Sequence, residues 1–158
     1  MESRIAIFPG SFDPFTIGHE SIVRRAIPLF DKIIISIGKN TNKSDFFPLE
    51  KRMEWINTVF NGVDKVEVKS FMGLTVDFCK KIGAGYILRG VRTSSDFEYE
   101  RAIGQMNRKM NTNIETVFLL TQPEHTFITS TIVRDVIRHG GDASLFLPQK
   151  IKIDIMNQ

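Results

Sequence analysis

A chain of 158 residues with 42% hydrophobic content can bury one proper core and is short for two, so a single domain over residues 1–158 is expected. Its 21 Lys and Arg against 18 Asp and Glu leave a net charge of only +3, too slight to announce a nucleic-acid partner without clustering. Residues 1–7 lack the apolar stretch of a signal peptide, no apolar run approaches the ~20 residues that span a bilayer, and the one cysteine, Cys79, excludes an internal disulfide, so a soluble cytoplasmic protein without a membrane partner is expected.

Short apolar, β-branched runs predict five strands, and helical spacing fills the intervals between them. The first strand covers residues 5–8 and leads through the loop 9–18 into a helix with Ile22, Val23, Ala26, Ile27 and Phe30 on one face, which Pro28 should bend or end. The second covers 33–37; after the polar loop 38–47, Pro48 opens a helix carrying Met53, Trp55, Ile56, Val59 and Phe60. The third covers 66–71 and passes through the loop 72–75 to a helix with Val76, Phe78, Cys79 and Ile82. The fourth covers 86–88, with the loop 90–96 and a helix from about 96 to 110; there Arg101, Arg108 and Lys109 alternate with acidic residues and read as an exposed face rather than a nucleic-acid surface. The fifth covers 116–120, followed by the loop 121–129 and a helix over 130–138 that Gly140 and Gly141 stop. A short terminal helix is expected after Pro148.

Strict alternation of strand and helix predicts an α/β fold: one Rossmann-like domain whose five-stranded parallel sheet carries helices on both faces, joined by right-handed crossovers. In such sheets the ligand crevice lies beyond the carboxyl ends of the strands, where strand order reverses. Four of the five loops at that end carry polar or basic residues suited to phosphate.

The richest of them is PGSFDPFTIGH, residues 9–19. Gly10 and Gly18 allow close backbone approach, and the helix start behind them offers unpaired amides and a positive dipole end to an anion. The pattern is neither GxGxxG nor a Walker loop, which lowers the weight of a dinucleotide cofactor or a P-loop. His19 sits on the first helical turn, where the helix end favours its neutral, hydrogen-bond-donating form. Alone, a histidine there reads more simply as a cap or core residue; the surrounding glycines, Thr16 and Asp13 favour a catalytic one.

PGSFDPFTIGH resembles the TxGH loop of the nucleotidylyltransferase superfamily, itself similar to the HIGH motif of class I aminoacyl-tRNA synthetases. ILRGVRTSSDFEYE, residues 87–100, and FITSTIVRDV, residues 127–136, resemble the arginine loop and the second nucleotide loop of bacterial phosphopantetheine adenylyltransferases. Order, spacing and length agree over nearly the whole chain. The resemblance implies transfer of the adenylyl group of ATP to 4′-phosphopantetheine, with dephospho-coenzyme A and pyrophosphate as products. By position it implies that Ser11, Lys43, Thr75 and Arg89 hold phosphopantetheine. For ATP it implies Ser11, Phe12, His19, Gly90, Val91, Arg92, Glu100, and the run His125, Thr126, Phe127, Ile128, Thr129, Ser130 and Thr131. His19, Lys43 and Arg92 would be catalytic.

Bland readings stand beside several of these. Ser11 fits an ordinary turn, Lys39 is a second candidate lysine, Arg89 and Arg92 could pair with Asp96 or Glu98, Glu100 suits a helix surface, and one of the three hydroxyls at residues 129–131 is an N-cap. His125 and His139 receive no chemistry from the residues alone. The acceptor phosphate is itself the nucleophile in this chemistry, so no Ser, His and Asp triad is needed. The resemblance further implies Mg2+ held by ATP phosphates and water, a homohexamer and feedback by coenzyme A. The nearest rival is a nicotinamide or nicotinate mononucleotide adenylyltransferase, which shares the TxGH loop.

Overall fold

A computed structural model describes residues 3–153. Five strands, β1 (Ile5–Gly10), β2 (Lys32–Gly38), β3 (Val66–Phe71), β4 (Tyr86–Val91) and β5 (Glu115–Leu120), alternate with α1 (Ile17–Ala26), α2 (Leu49–Val59), α3 (Thr75–Ile82), α4 (Ser94–Met110) and α5 (Ser130–Arg138). All pairings are parallel in the order β3-β2-β1-β4-β5. The chain winds outward from β1 to β3, then returns to place β4 on the other side of β1, so the order reverses between β1 and β4.

Alternation along each strand sorts the core onto two faces. Ala6, Phe8, Ile33, Ile35, Ile37 and Leu88 face the larger cluster, which α1, α2 and α5 complete with Ile22, Val23, Ile56, Val59, Val133 and Ile137. Ile7, Ile34 and Ile87 face the other side, where Val76, Phe78 and Cys79 of α3 meet them. Helices thus cover both faces, as expected. Burial raises the Cys79 thiol to about 11, so it stays protonated and inert as a core residue.

Differences from the sequence reading lie at the element ends. The first helix stops at Ala26, and residues 27–30 do not continue it; a 3-10 turn, Ile27–Leu29, takes Pro28 without asking it for an amide donor. The fourth helix begins at Ser94 rather than near Asp96, because Thr93 caps it by accepting the Asp96 N–H at 3.1 Å. β4 runs three residues past Leu88, so Arg89 lies inside the strand, in register with Phe118, rather than following it. The expected terminal helix is absent from residues 148–153, which form a turn and an irregular stretch packing Ile151 into the core; the rest of that expectation lies outside the described residues.

Candidate active site

The carboxyl ends of β1, β4 and β5 and the starts of α1, α4 and α5 surround a basin of about 400 Å3. It lies at the reversal between β1 and β4, where neighbouring loops diverge to opposite faces and leave a crevice.

Thr16 begins α1 as its N-cap. Its side chain accepts the His19 N–H at 3.3 Å, and its own backbone N–H donates to His19 Nδ1 at 2.9 Å, a capping box with histidine in the usual place of Glu or Gln. Since Nδ1 accepts, the neutral ring carries its proton on Nε2. The ring packs against Phe12, Phe15 and Phe8, with centroids 5.0, 5.3 and 6.2 Å away. Burial, then the Arg92 and Arg89 guanidiniums, push its pKa from the ordinary 6.5 down to about 3. The sequence assigns the neutral form to the helix end; the aromatic surroundings and two cations are the larger cause.

Phe12 takes a φ of 47°, a left-handed conformation costly for a bulky residue. Contacts with Phe8, Phe15 and His19 hold it, and its ring lies over Gly10, where a Cβ would stand 2.8 Å from Phe12 Cζ. Gly10 is therefore required to seat the ring as well as to open the loop.

Arg89 shares strand parity with Ile87 and so projects toward the face covered by α3 and α4. There its guanidinium grips Glu100 in a two-pronged pair, Nε to Oε2 at 2.9 Å and Nη2 to Oε1 at 2.6 Å, while Nη1 donates to Pro9 O at 2.5 Å. Three of its five N–H groups are thus used and two remain. The ion pair exists, but with Glu100 rather than Asp96 or Glu98. Arg92 donates from Nε to Asp96 at 3.1 Å and from Nη1 to Ile128 O at 3.4 Å.

At α5, Thr129 is the N-cap, accepting the Ile132 N–H at 3.1 Å; Ser130 Oγ donates to Pro14 O at 2.8 Å; and Thr131 Oγ1 accepts from Arg134 Nη2 at 3.2 Å. One hydroxyl caps, one ties the loop to the TxGH segment, and one orients a guanidinium.

Ser11, Phe12, His19, Lys43, Arg89, Gly90, Arg92, Glu100, His125, Ile128, Thr129, Ser130 and Thr131 therefore meet around one basin. Val91, Thr126 and Phe127 do not line it. Val91 is buried in the strand with its carbonyl accepting the Thr121 N–H at 2.9 Å, and the exposed Phe127 ring faces Phe146. Thr75 belongs to a second cavity of about 270 Å3 between the sheet and α3 and α4. Phe71, Thr75, Ile103, Gly104, Asn107 and Thr116 line it, and it shares Pro9, Gly10, Arg89 and Glu100 with the basin. Sequence reasoning missed this cavity's α4 wall and Arg134, which lines the basin and donates to Asp13 O at 2.7 Å. The signal for Arg134 was its place one turn beyond Ser130, on the same helix face.

The low pKa of His19 makes stability depend on pH. Between about 3 and 6.5 the unfolded chain binds a proton at this site that the folded chain refuses, so stability falls as pH is lowered through that window, by up to ~1.4 kcal/mol per pH unit. Urea unfolding at pH 7 and pH 5 should show this loss in the natural chain and a smaller one in His19→Gln. Equal losses would mean that His19 titrates normally.

Residues 7–136 match the family model described as cytidylyltransferase-like. A phosphopantetheine adenylyltransferase of Flavobacterium psychrophilum is 53% identical over 150 residues, covering 95% of this chain and 99% of that protein. One from Cytophaga hutchinsonii is 51% identical, covering 94% and 99%. Among solved structures, a bifunctional NMN adenylyltransferase/ADP-ribose pyrophosphatase of Francisella tularensis superposes with a TM-score of 0.71 at 18% identity, over 95% of this chain and 46% of that one. That level of identity supports a shared fold alone. The near-complete matches at about half identity carry more, and by them the chain belongs to the phosphopantetheine adenylyltransferase family, within the cytidylyltransferase-like proteins.

Proposed function

We propose that the chain transfers the adenylyl group of ATP to 4′-phosphopantetheine with the nucleotide in the basin and the pantetheine arm in the second cavity, releasing pyrophosphate and leaving dephospho-coenzyme A. The observation that carries this reading is the meeting of the two cavities at Arg89 and Glu100. A polar, cation-rich basin suits a triphosphate, a cavity walled by Phe71 and Ile103 suits an uncharged arm, and an arginine at their junction suits the phosphate between them.

In this arrangement an oxygen of the acceptor phosphate attacks the α-phosphorus of ATP as the bond to the bridging oxygen of the β-phosphate breaks, and the electron pair leaves with pyrophosphate. The acceptor is already anionic, so the protein's task is to align two anions and neutralise the charge between them. Arg89, Ser11 and Lys43 hold the acceptor phosphate, and Thr75 lies along its arm. His19 donates from Nε2 to the reacting phosphoryl oxygens, with Lys43 and Arg92 as neighbouring cations. Phe12, Gly90, Val91, Glu100 and residues 125–131 form the nucleotide's surroundings, Val91, Thr126 and Phe127 from outside the basin wall. Mg2+ bound to ATP would supply charge neutralisation at the phosphates; a metal that keeps much of its water suits a basin whose carboxylates, Asp96 and Glu100, are each engaged by an arginine.

Coenzyme A, which bears both an adenylate and a pantetheine arm, fits the same two cavities and is proposed as a competing feedback ligand. A homohexamer is also proposed: α4 exposes Tyr99, Met106 and Met110 at 69%, 65% and 51%, an apolar row that another copy would cover. Among the described residues no helix is long and apolar enough to cross a membrane, and a cytoplasmic location is proposed with the reaction.

Incubation with ATP, Mg2+ and each acceptor in turn tests the reading. Dephospho-coenzyme A and an equal amount of pyrophosphate are expected with 4′-phosphopantetheine, and no dinucleotide with nicotinamide or nicotinate mononucleotide. Product only with a mononucleotide would overturn it.

A further inference from the structure

The loop that carries Lys43 has little support of its own. Residues 39–45 are exposed, and the hydrogen bonds inside the loop are local: Asn42 N–H to Asn40 Oδ1 at 2.9 Å and Lys43 N–H to Asn40 O at 3.4 Å. At its front, Lys39 N–H donates to Phe71 O at 2.9 Å. Its far end is fastened by two charges that are themselves buried, Asp13 at 7% exposure and Arg52 at 2%. The Asp13 carboxylate accepts the Phe46 and Phe47 N–H groups at 2.7 and 2.9 Å. Arg52 donates from Nε to Phe47 O at 2.9 Å and from Nη1 to Ser11 O at 2.6 Å, and its Nη2 lies 2.6 Å from Asp45 Oδ2 in an ion pair.

Arg52 is thus the one side chain among the described residues that grips both the Lys43 loop, two residues from Lys43, and the backbone of Ser11, 41 residues away in sequence. We infer that Arg52, acting through Asp45 and the Ser11 carbonyl, is a positioning residue that sets the Lys43 ammonium at a fixed distance from the Ser11 loop. The inference rests on the proposed placement of Lys43 and Ser11 at the acceptor phosphate.

The physical argument has two parts. A guanidinium is a planar fork whose donors point in fixed directions, so one carbonyl from each of two loops is held in one geometry while the same charge pairs with Asp45; a lysine or an apolar residue could not do this. Burying such a charge gains little stability over an apolar side chain of equal volume, so stability alone does not account for it. Geometry does: an exposed lysine loses rotamer freedom only if its loop is fixed, and a misplacement of about 1 Å in a phosphate-aligning group costs on the order of 100-fold in rate.

A double-mutant cycle tests this, using Lys43→Ala, Asp45→Ala and Arg52→Met singly and with each tether variant combined with Lys43→Ala. The readout is kcat/KM for 4′-phosphopantetheine at saturating ATP, well below each variant's melting temperature. Lys43→Ala should lose ~100-fold, Asp45→Ala ~10-fold and Arg52→Met at least as much, with the KM for ATP changing less than ~2-fold. In the Lys43→Ala background each tether variant should cost less than ~2-fold further, because the group it positions is gone. Losses that multiply in full would show Arg52 and Asp45 acting independently of Lys43 and would overturn the inference. So would a normal Asp45→Ala beside a crippled Lys43→Ala, which leaves the placement of Lys43 standing. A normal Lys43→Ala overturns that placement and the inference together. Should Arg52→Met fail to fold, Asp45, half-exposed at the rim, carries the cycle alone.

Discussion

Replacing His19 by alanine should lower turnover by ~100-fold or more while moving the melting temperature by only a few degrees, the scale of losing one donor to transition-state charge. The size follows from how the ring is prepared. Thr16 N–H occupies Nδ1, so the proton sits on Nε2 without rearrangement, and the Phe8, Phe12 and Phe15 rings exclude water from its flank. With its pKa pushed down to about 3, the ring is a neutral donor at neutral pH and contributes no charge that would tighten ATP in the ground state. The loss should therefore fall on kcat at saturating substrates more than on the KM for ATP. The structural cost is small because Thr16 still caps α1 through the residue 19 amide. Steady-state kinetics beside a thermal melt decides it: turnover within a few-fold of the natural chain, with the fold intact, removes His19 from the chemistry.

How much of this was legible beforehand depends on how far apart the cooperating residues lie. The TxGH turn was readable because Thr16 and His19 share one helical turn and local chemistry fixes them, although the Thr16 cap itself was not read. The sheet was readable because runs such as Ile33, Ile34 and Ile35, buried toward both faces, admit little but a central strand between helical layers. The partner of Arg89 was not: Glu100 reaches it from the second turn of the following helix, and only strand parity combined with the placement of α4 on that face brings them together. The second cavity was invisible for the same reason, since Thr75, Gly104 and Thr116 come from three elements with no shared period. Arg52 received no reading from the sequence, and among Glu50, Lys51 and Glu54 nothing local reveals that its fork ends beneath two loops.

Arg89→Ala should raise the KM for 4′-phosphopantetheine by ~30-fold or more and that for ATP by no more than ~3-fold, because a charge-assisted contact to one phosphate is worth about 2 kcal/mol and the arginine stands at the cavity junction rather than deep in the basin. The pairing with Glu100 sharpens the expectation. In the natural chain the carboxylate holds the guanidinium at 2.6 Å and leaves two N–H groups for a ligand; without the arginine, the same carboxylate, 13% exposed, faces an incoming dianion with nothing to offset it. Part of the loss in Arg89→Ala is then repulsion by Glu100, not absence of Arg89. Adding Glu100→Gln to Arg89→Ala should recover several-fold in acceptor KM and some melting temperature, whereas Glu100→Gln alone should lose activity, since it frees Arg89 to swing from the strand. If the two substrates suffer alike in Arg89→Ala, the phosphate it serves has been misassigned. If the double variant is worse than the single one, Glu100 acts on the nucleotide directly rather than by orienting Arg89, and the junction between the cavities belongs to ATP.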